Sequence, residues 1–377
     1  MNIVGLSVRN FRNHRNSECT FGSGMNLLLG RNGQGKTNIL EAISFLSLTK
    51  SFYAASDATT VQLGTDFFDV RGIISAGSGS THEVRVVYDK TTAQKQFTIN
   101  GARPENLASV IGRFPVVVLS PENGAITFGP PAERRKFIDL VLAQLSRSYL
   151  VDLLEYRRVL RQRNRILFEA KSRGGTPGPS ALEPWTINLA NHGSRIVQRR
   201  LLFVEEFHKF LLDAYGELVS GNEEVDLKYE SLKGITKEST LERITEVLLG
   251  EVAARGADEI RRGATLVGPH RDDLSLFING ISAQRYASQG QHKTLLVALK
   301  VAEFFYLKDR RGESPMFLLD DLFSELDQER SRRIVNLLGT LSQTIVTTTD
   351  DAMFAGSMIS SGQNKRFFID KGTCREE

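Results

Sequence analysis

Through its first 120 residues this 377-residue chain alternates apolar and polar positions in short blocks, and then the period changes. Residues 3–11 (IVGLSVRNF) and 25–29 (MNLLL) have strand character, and the second block runs straight into GRNGQGKT and the helical pattern TNILEAISFLSL. Short β runs follow at 67–74, 83–88 and 95–99, the last ending in Asn100-Gly101, a pair suited to the positive-φ positions of a tight hairpin. PVVVLS at 115–120 reads as a buried strand.

From about 132 to 171 the apolar positions Tyr149, Leu153, Tyr156, Leu160 and Leu167 recur at helical steps, while Arg157, Arg161 and Arg165 share another face. The stretch 172–184 breaks the helix with three Gly and three Pro, and a second periodic run follows through Trp185, Leu189, His192, Ile196, Phe203 and Phe210. This predicts a helical hairpin with that loop at its tip. Forty helical residues span about 60 Å, so the pair can project as an arm; a pair buried against the core is the alternative. After about 263 the β/α texture returns with LSLFING, a helical run after SQGQ, the strand MFLLDD, TIVTTTD and RFFID. The expected fold class is α/β, a mixed-sheet lobe split into halves at 1–114 and 264–377, with a mainly helical domain at 115–263 inserted between them.

Composition narrows the setting. Cys19 and Cys374 are the only cysteines and form no CxxC or Cys/His cluster, which argues against a disulfide framework or a structural zinc site and fits a reducing compartment. Arginines occupy the N-terminal stretch where a signal peptide needs apolar residues, and no run approaches 18 apolar residues, so the expectation is a soluble cytoplasmic protein without a membrane partner. Net charge is only +4, but residues 131–200 carry 14 Lys/Arg against 6 Asp/Glu. That basic segment suits a phosphate-backbone partner; a solvated helix face is the plain alternative.

The chemistry is concentrated in four motifs. Gly30-Arg31-Asn32-Gly33-Gln34-Gly35-Lys36-Thr37 fits G-x-x-x-x-G-K-[ST], whose backbone amides and following helix N-terminus surround phosphates. In that loop Lys36 serves the β/γ-phosphates, Thr37 coordinates Mg²⁺, and Asn38 follows at the helix start. Phe317-Leu318-Leu319-Asp320-Asp321 reads as a buried strand ending in two carboxylates, a Walker B element, with Asp320 toward Mg²⁺ and Asp321 placed as general base or water-orienting group. Ser288-Gln289-Gly290-Gln291 opens a helix whose first amides can bind an anion, and Ser324-Glu325-Leu326-Asp327 follows the carboxylates.

In the order P-loop, SQGQ, FLLDD, SELD, these motifs resemble the ABC ATPases, which implies ATP bound between two copies, the signature of one copy capping the γ-phosphate held by the other. The likeness narrows to the RecF family, in the SMC-like branch of those proteins. LSVRNFRN, GRNGQGKTNILEAI, Pro121-Glu122, Arg134-Arg135-x-Phe137-Ile138-Asp139, Gly268-Pro269-His270-Arg271-Asp272-Asp273 and LLDDLFSELD carry it over nearly the whole chain. Tyr53, where the family pattern has arginine, and Pro130 depart from it. The resemblance implies an ATP-dependent dimer on gapped or duplex DNA, RecR as partner, help in loading RecA, and a weak DNA-stimulated ATPase.

Several residues have two readings. Phe11 and Arg12 sit near nucleotide or are a strand-packing Phe with a surface Arg; His270 and Arg271 meet nucleotide or DNA or form a structural turn. Arg134, Arg135, Arg157, Arg161 and Arg165 bind DNA phosphates or solvate a helix. The competing function is the ATPase subunit of a transporter, against which stand SQGQ in place of LSGGQ and the absence of a switch histidine in TIVTTTDD. A small-molecule kinase leaves SQGQ and SELD unexplained.

Overall fold

All five positions of the strand Met25–Leu29 are apolar or fully satisfied and all are buried, the mark of a strand with neighbours on both edges and cover on both faces. The computed structural model, which describes residues 1–219, 221, 223–321, 328–354 and 363–377, makes it the third of fourteen strands among the described residues. In chain order these are β1 (Asn2–Phe11), β2 (His14–Thr20), β3 (Met25–Leu29), helix α1 (Lys36–Leu48), β4 (Phe67–Ser75), β5 (Thr81–Asp89), β6 (Gln94–Ile99) and β7 (Val116–Leu119). Then come α2 (Ala125–Phe128), α3 (Pro131–Leu145), α4 (Arg147–Ser172), α5 (Pro179–Leu218), β8 (Val225–Glu230), α6 (Leu241–Ala254) and α7 (Gly256–Arg262). The last part holds β9 (Asp273–Ile278), β10 (Ile281–Ser282), α8 (Ala283–Tyr286), α9 (Gln289–Arg311), β11 (Met316–Leu319), α10 (Gln328–Thr340), β12 (Thr344–Thr348), β13 (Lys365–Asp370) and β14 (Thr373–Glu376).

The first of two compact units comprises 1–124, 213–222 and 288–377. It contains an antiparallel sheet ordered β2-β1-β4-β5-β6 and a mixed sheet ordered β14-β13-β3-β12-β11-β7, in which β3 has parallel partners on both sides. Helix α1 is buried along nearly its whole circumference because it contacts β1, β4 and β5 of one sheet and β7 and β12 of the other. Phe45 of α1 meets Phe11 and Phe68 edge-on at ring separations of 5.7 and 5.3 Å, so Phe11 is a packing residue with no exposure. The two sheets are also joined by the buried Gln343 amide, which accepts from the Ile3 N–H and donates to the Ile3 carbonyl, both at 2.7 Å. Each buried polar atom of that amide is thereby satisfied.

The second unit comprises 125–212 and 223–287. The run expected as one helix from 132 to 171 is two, because Ser146 is extended and its side chain accepts from the Tyr149 N–H, capping α4. The tip loop shrinks to 173–178, since α5 already starts at Pro179, where proline costs no helical hydrogen bond. Within this unit the hairpin is packed and does not project as a free arm: Ala190 of α5 lies in one apolar cluster with Leu248 and Val252 of α6 and with Val267. Arg163 of α4 forms a buried 2.6 Å ion pair with Glu259 of α7. The boundaries also differ from 114/115 and 263/264. Strand β7 hydrogen-bonds to β11 in the mixed sheet, and β9 pairs with β8 in the second unit, so 115–124 and 264–287 change sides, as does 213–222, which joins the first unit. Both Asn-Gly pairs form the expected hairpin turns, with φ of 51° at Asn100 and at Asn279.

Candidate functional site

The P-loop of the first unit connects β3 to α1, and its backbone requires glycine where it bends. Gly35 has φ +110°, and a Cβ there would lie 2.5 Å from Asn13 Oδ1 and 2.7 Å from His14 Nε2. Lys36, buried at the first turn of α1, donates to the carbonyls of Gly30 at 2.7 Å and Arg31 at 3.1 Å. Burial pulls its ammonium below the usual lysine range, opposed by the negative charge of Asp321 and Asp320. The loop is braced from outside. Gln34 Oε1 accepts from the Lys371 N–H at 2.7 Å, its carbonyl accepts from Gly372 N–H and Asn13 Nδ2, and Asn38 Nδ2 donates to Asn13 Oδ1 at 2.7 Å. The side chains of Gln34 and Asn38 thus hold the loop's shape, and Asn38 also lines the cavity beside Lys36 and Thr37.

Thr37 donates its hydroxyl to both oxygens of Asp320, at 2.8 and 3.0 Å, bringing the P-loop and the end of β11 together across 283 residues of sequence. Thr347, at the end of the neighbouring β12, donates to Asp320 Oδ1 at 2.7 Å and accepts the Asp321 N–H at 3.0 Å. Burial raises the Asp320 carboxyl above its ordinary value, while the Thr347 and Thr37 hydroxyls pull it back toward the ionised form. Asp321 turns into the left-handed region at φ 37°, which directs its backbone out of the strand. These groups line one cavity of about 460 Å³ with Asn32, Gly33, Gly35, Lys36, Asn38, Tyr53, Ser120, Pro121 and Glu122. Its Lys36 ammonium, the glycine-rich loop backbone and the adjacent hydroxyl and carboxylate oxygens are a group set suited to a polyphosphate with a hard divalent cation such as Mg²⁺.

Ser288–Gln291 does not line this cavity. Ser288 is the N-cap of α9, accepting from the Gln291 N–H at 3.2 Å while Gln291 Oε1 accepts from the Ser288 N–H at 2.9 Å. That reciprocal box uses the backbone N–H groups of Ser288 and Gln291, while the tip of the helix, Ser288 and Gln289, is exposed. Ser324–Asp327, including Asp327, lies outside the described residues.

Two groups at the site were not picked out from sequence. Thr347 sits in a threonine-rich strand pattern that gives no hint of its contact with Asp320. Glu41, with no exposure, accepts from Arg12 Nε at 2.8 Å and from Ser51, and Arg12 lies 5.8 Å from the Tyr53 ring centroid. The tyrosine that departs from the family pattern thus stacks on an arginine already fixed by a buried carboxylate.

The five arginines proposed for DNA lie in the second unit, and they divide. Arg134 is 1% exposed, gives two hydrogen bonds to Asp273 at 2.7 and 2.8 Å and a third to the Gly129 carbonyl, so it is a structural residue and the DNA reading fails there. Arg135 is half-buried and donates to the Asp272 carbonyl; burial and neighbouring Arg200 depress its pKa. Arg157, Arg161 and Arg165 are exposed on one face of α4, with Arg157 paired to Asp139 at 3.2 Å and Arg165 to Glu169 at 2.9 Å. His270 is held within its own unit: its Nε2 faces the Thr265 carbonyl at 3.1 Å, which requires N–H there, so Nδ1 accepts from Tyr156 Oη at 2.6 Å. Burial lowers it to about 4, and the turn reading is the one the geometry fits.

A P-loop strand between parallel partners, a Walker B carboxylate hydrogen-bonded to the P-loop threonine and a capped signature helix define an ABC-type ATPase head with an inserted, mainly helical lobe. Residues 2–367 match the family described as RecF/RecN/SMC N terminal domain. The chain is 40% identical over 358 residues to the DNA replication and repair protein RecF of Chloroherpeton thalassium, covering 94% of this chain and 96% of that one. It is 39% identical over 346 residues to RecF of Salinibacter ruber, covering 91% and 84%. A solved structure, "recombination mediator protein RecF-ATPrS in RecFOR pathway", superposes with a TM-score of 0.89 at 30% identity, covering 100% of this chain and 98% of that one. An SMC head bound to the C-winged helix domain of ScpA shares the fold, with a TM-score of 0.57 at 14% identity. The chain belongs to the RecF family. The transporter alternative gains no support from these likenesses, and no described helix is long and apolar enough to cross a membrane.

Proposed function

We propose that this chain is an ATP-gated DNA-binding protein of recombinational gap repair, in which two copies close on ATP, hold duplex DNA near a single-strand/double-strand junction, and release it on hydrolysis. The observation that carries the reading is the division of the motifs: P-loop and Walker B share one cavity, whereas the signature helix tip is exposed outside it. A second copy supplies what one cavity lacks. The P-loop amides and the Lys36 ammonium would bind the β- and γ-phosphates, and Thr37 and Asp320 would hold Mg²⁺. When bound there, Mg²⁺ neutralises phosphate charge. Asp321 orients the attacking water and takes its proton, and Ser288 of the opposite copy caps the helix tip whose Gln289 and Gly290 amides approach the γ-phosphate.

Hydrolysis in this reading serves timing and is slow without DNA. The exposed α4 face, Arg157, Arg161 and Arg165, with Arg135 beside it, contacts DNA through phosphates, which makes binding salt-sensitive and indifferent to sequence. RecR as partner and assistance to RecA loading are part of the same proposal, supported by likeness to a structure described as a recombination mediator protein RecF in the RecFOR pathway.

The test is sedimentation with ATP, Mg²⁺ and a labelled duplex, comparing the unaltered chain with Lys36→Met and Ser288→Arg. ATP-dependent dimers that retain DNA, lost in both variants, are expected. A chain that stays monomeric throughout, or that binds DNA regardless of nucleotide, overturns the composite site.

A further inference from the structure

Cys19 and Cys374 are the only cysteines of the chain, 355 positions apart, and the fold brings them together. Strand β2, at one edge of the antiparallel sheet, packs against β14, at one edge of the mixed sheet, and the Cys19 thiol donates to Cys374 Sγ at 2.7 Å. Cys19 is buried, whereas Cys374 is partly exposed to solvent. The contact lies beside the brace of the P-loop. Ser17, two positions before Cys19, donates to the Gly372 carbonyl at 2.6 Å, and Gly372, two before Cys374, gives its N–H to Gln34. His14 continues the chain of contacts, its ring lying 2.9 Å from Ser17 Oγ and 3.0 Å from the Gly35 carbonyl.

We propose that Cys19 and Cys374 are a thiol-oxidation site, where a peroxide converts the touching thiols into an intramolecular disulfide that ties the β13–β14 hairpin to β2 directly under the P-loop. Cys374 is the entry point because it is the one open to solvent; the hydrogen bond to Cys374 and burial push the Cys19 thiol up, so Cys19 is the resolving partner. The Cys374 sulfur attacks one peroxide oxygen, the O–O bond breaks, and a sulfenic acid and water form. The Cys19 sulfur then attacks that sulfenic sulfur, the S–O bond breaks, and a second water leaves with the Cys19 proton. Two thiols are oxidised by two electrons and one peroxide is reduced to two waters. In a reducing compartment such a bond forms transiently, under oxidant, and is undone by thiol exchange.

The experiment treats the full-length unaltered chain with hydrogen peroxide, quenches with an alkylating reagent, and digests it without reductant for mass spectrometry. Expected are a fall from two titratable thiols to none, a peptide pair joining Cys19 to Cys374 that is lighter by two hydrogen atoms, and a yield independent of protein concentration. Dithiothreitol restores both thiols. Cys19→Ser, which keeps Cys374, is expected instead to stop at sulfenic or higher acids on Cys374 with no internal link. Persistence of both thiols in the folded chain, crosslinks only between chains, or over-oxidation of Cys374 with Cys19 still free would each overturn the proposal.

Discussion

Arg134 separates a structural from a DNA-binding reading of the basic segment, and Arg134→Met decides between them. Methionine keeps most of the aliphatic stem and removes the guanidinium, so the loss is that of three hydrogen bonds, two of them to Asp273. Breaking a buried pair by removing one partner costs about 3–5 kcal/mol, chiefly because the other charge is left behind. Asp273 is 20% exposed, and water reaching it relieves part of that penalty, which places the expected loss near the lower end, about 3 kcal/mol. That is roughly two powers of ten in the folded-to-unfolded ratio. The assay is guanidinium unfolding followed by tryptophan fluorescence, because the single tryptophan, Trp185, lies in α5 within the same unit as Arg134. Adding Asp273→Asn removes the stranded charge and is expected to recover about 1 kcal/mol or more. DNA binding measured against salt under folding conditions completes the comparison. Arg134→Met leaves the salt slope unchanged, whereas Arg161→Ala lowers it by about 0.9 for one lost phosphate contact with no change in unfolding midpoint. An unaltered midpoint for Arg134→Met together with a flattened salt slope refutes the structural assignment.

Two further outcomes follow from the geometry. His270 has its pKa depressed from 6.5 to about 4 by burial, so between those values the unfolded chain binds a proton that the folded one does not. Stability of the second unit therefore falls as pH drops from about 6.5 to about 4, by about 3 kcal/mol in total, and His270→Gln flattens that dependence in Trp185 unfolding curves; an unchanged slope counts against the neutral buried imidazole. Thr347→Val removes one donor from Asp320 and the acceptor for the Asp321 N–H without changing side-chain volume much, and about 1–2 kcal/mol of lost organisation weakens Mg²⁺-dependent ATP binding by about tenfold. Equal affinity of the variant by equilibrium binding would show that Thr347 does not hold the carboxylate in place.

Short-range rules made much of the molecule legible. The P-loop, its flanking strand and helix, both Asn-Gly hairpins and the Walker B strand all follow from residues adjacent in sequence, where period and turn chemistry act directly. What failed was pairing. LSLFING has the alternation of a strand, but alternation says nothing of its partner, and β9 pairs with β8 in the helical unit. Arg134 and Arg135 look alike in sequence, yet one turns inward to Asp273 and the other remains half-exposed, because a helix rotates successive residues by about 100° and only the tertiary neighbours decide which side is inside. Ser146 breaks a run of helical periodicity by capping, a signal visible in the sequence as Ser followed by a helix former and masked by the strength of the surrounding pattern. Thr347 was silent for a different reason: a threonine in a β run is an ordinary strand former until a carboxylate from another strand is placed beside it.

The strand order β14-β13-β3-β12-β11-β7 has a consequence for synthesis on the ribosome. Strand β3 emerges early, but every partner beside it, β12 on one edge and β13 on the other, is made only after residue 343. Throughout most of translation the phosphate loop hangs from an apolar strand with both edges bare, the kind of segment that pairs with whatever strand it meets. The second unit draws on residues 125–287 and can gather its own core while the first waits. Nascent chains halted before β12 are therefore expected to have a folded helical part, no nucleotide affinity, and a strong demand for a holdase chaperone.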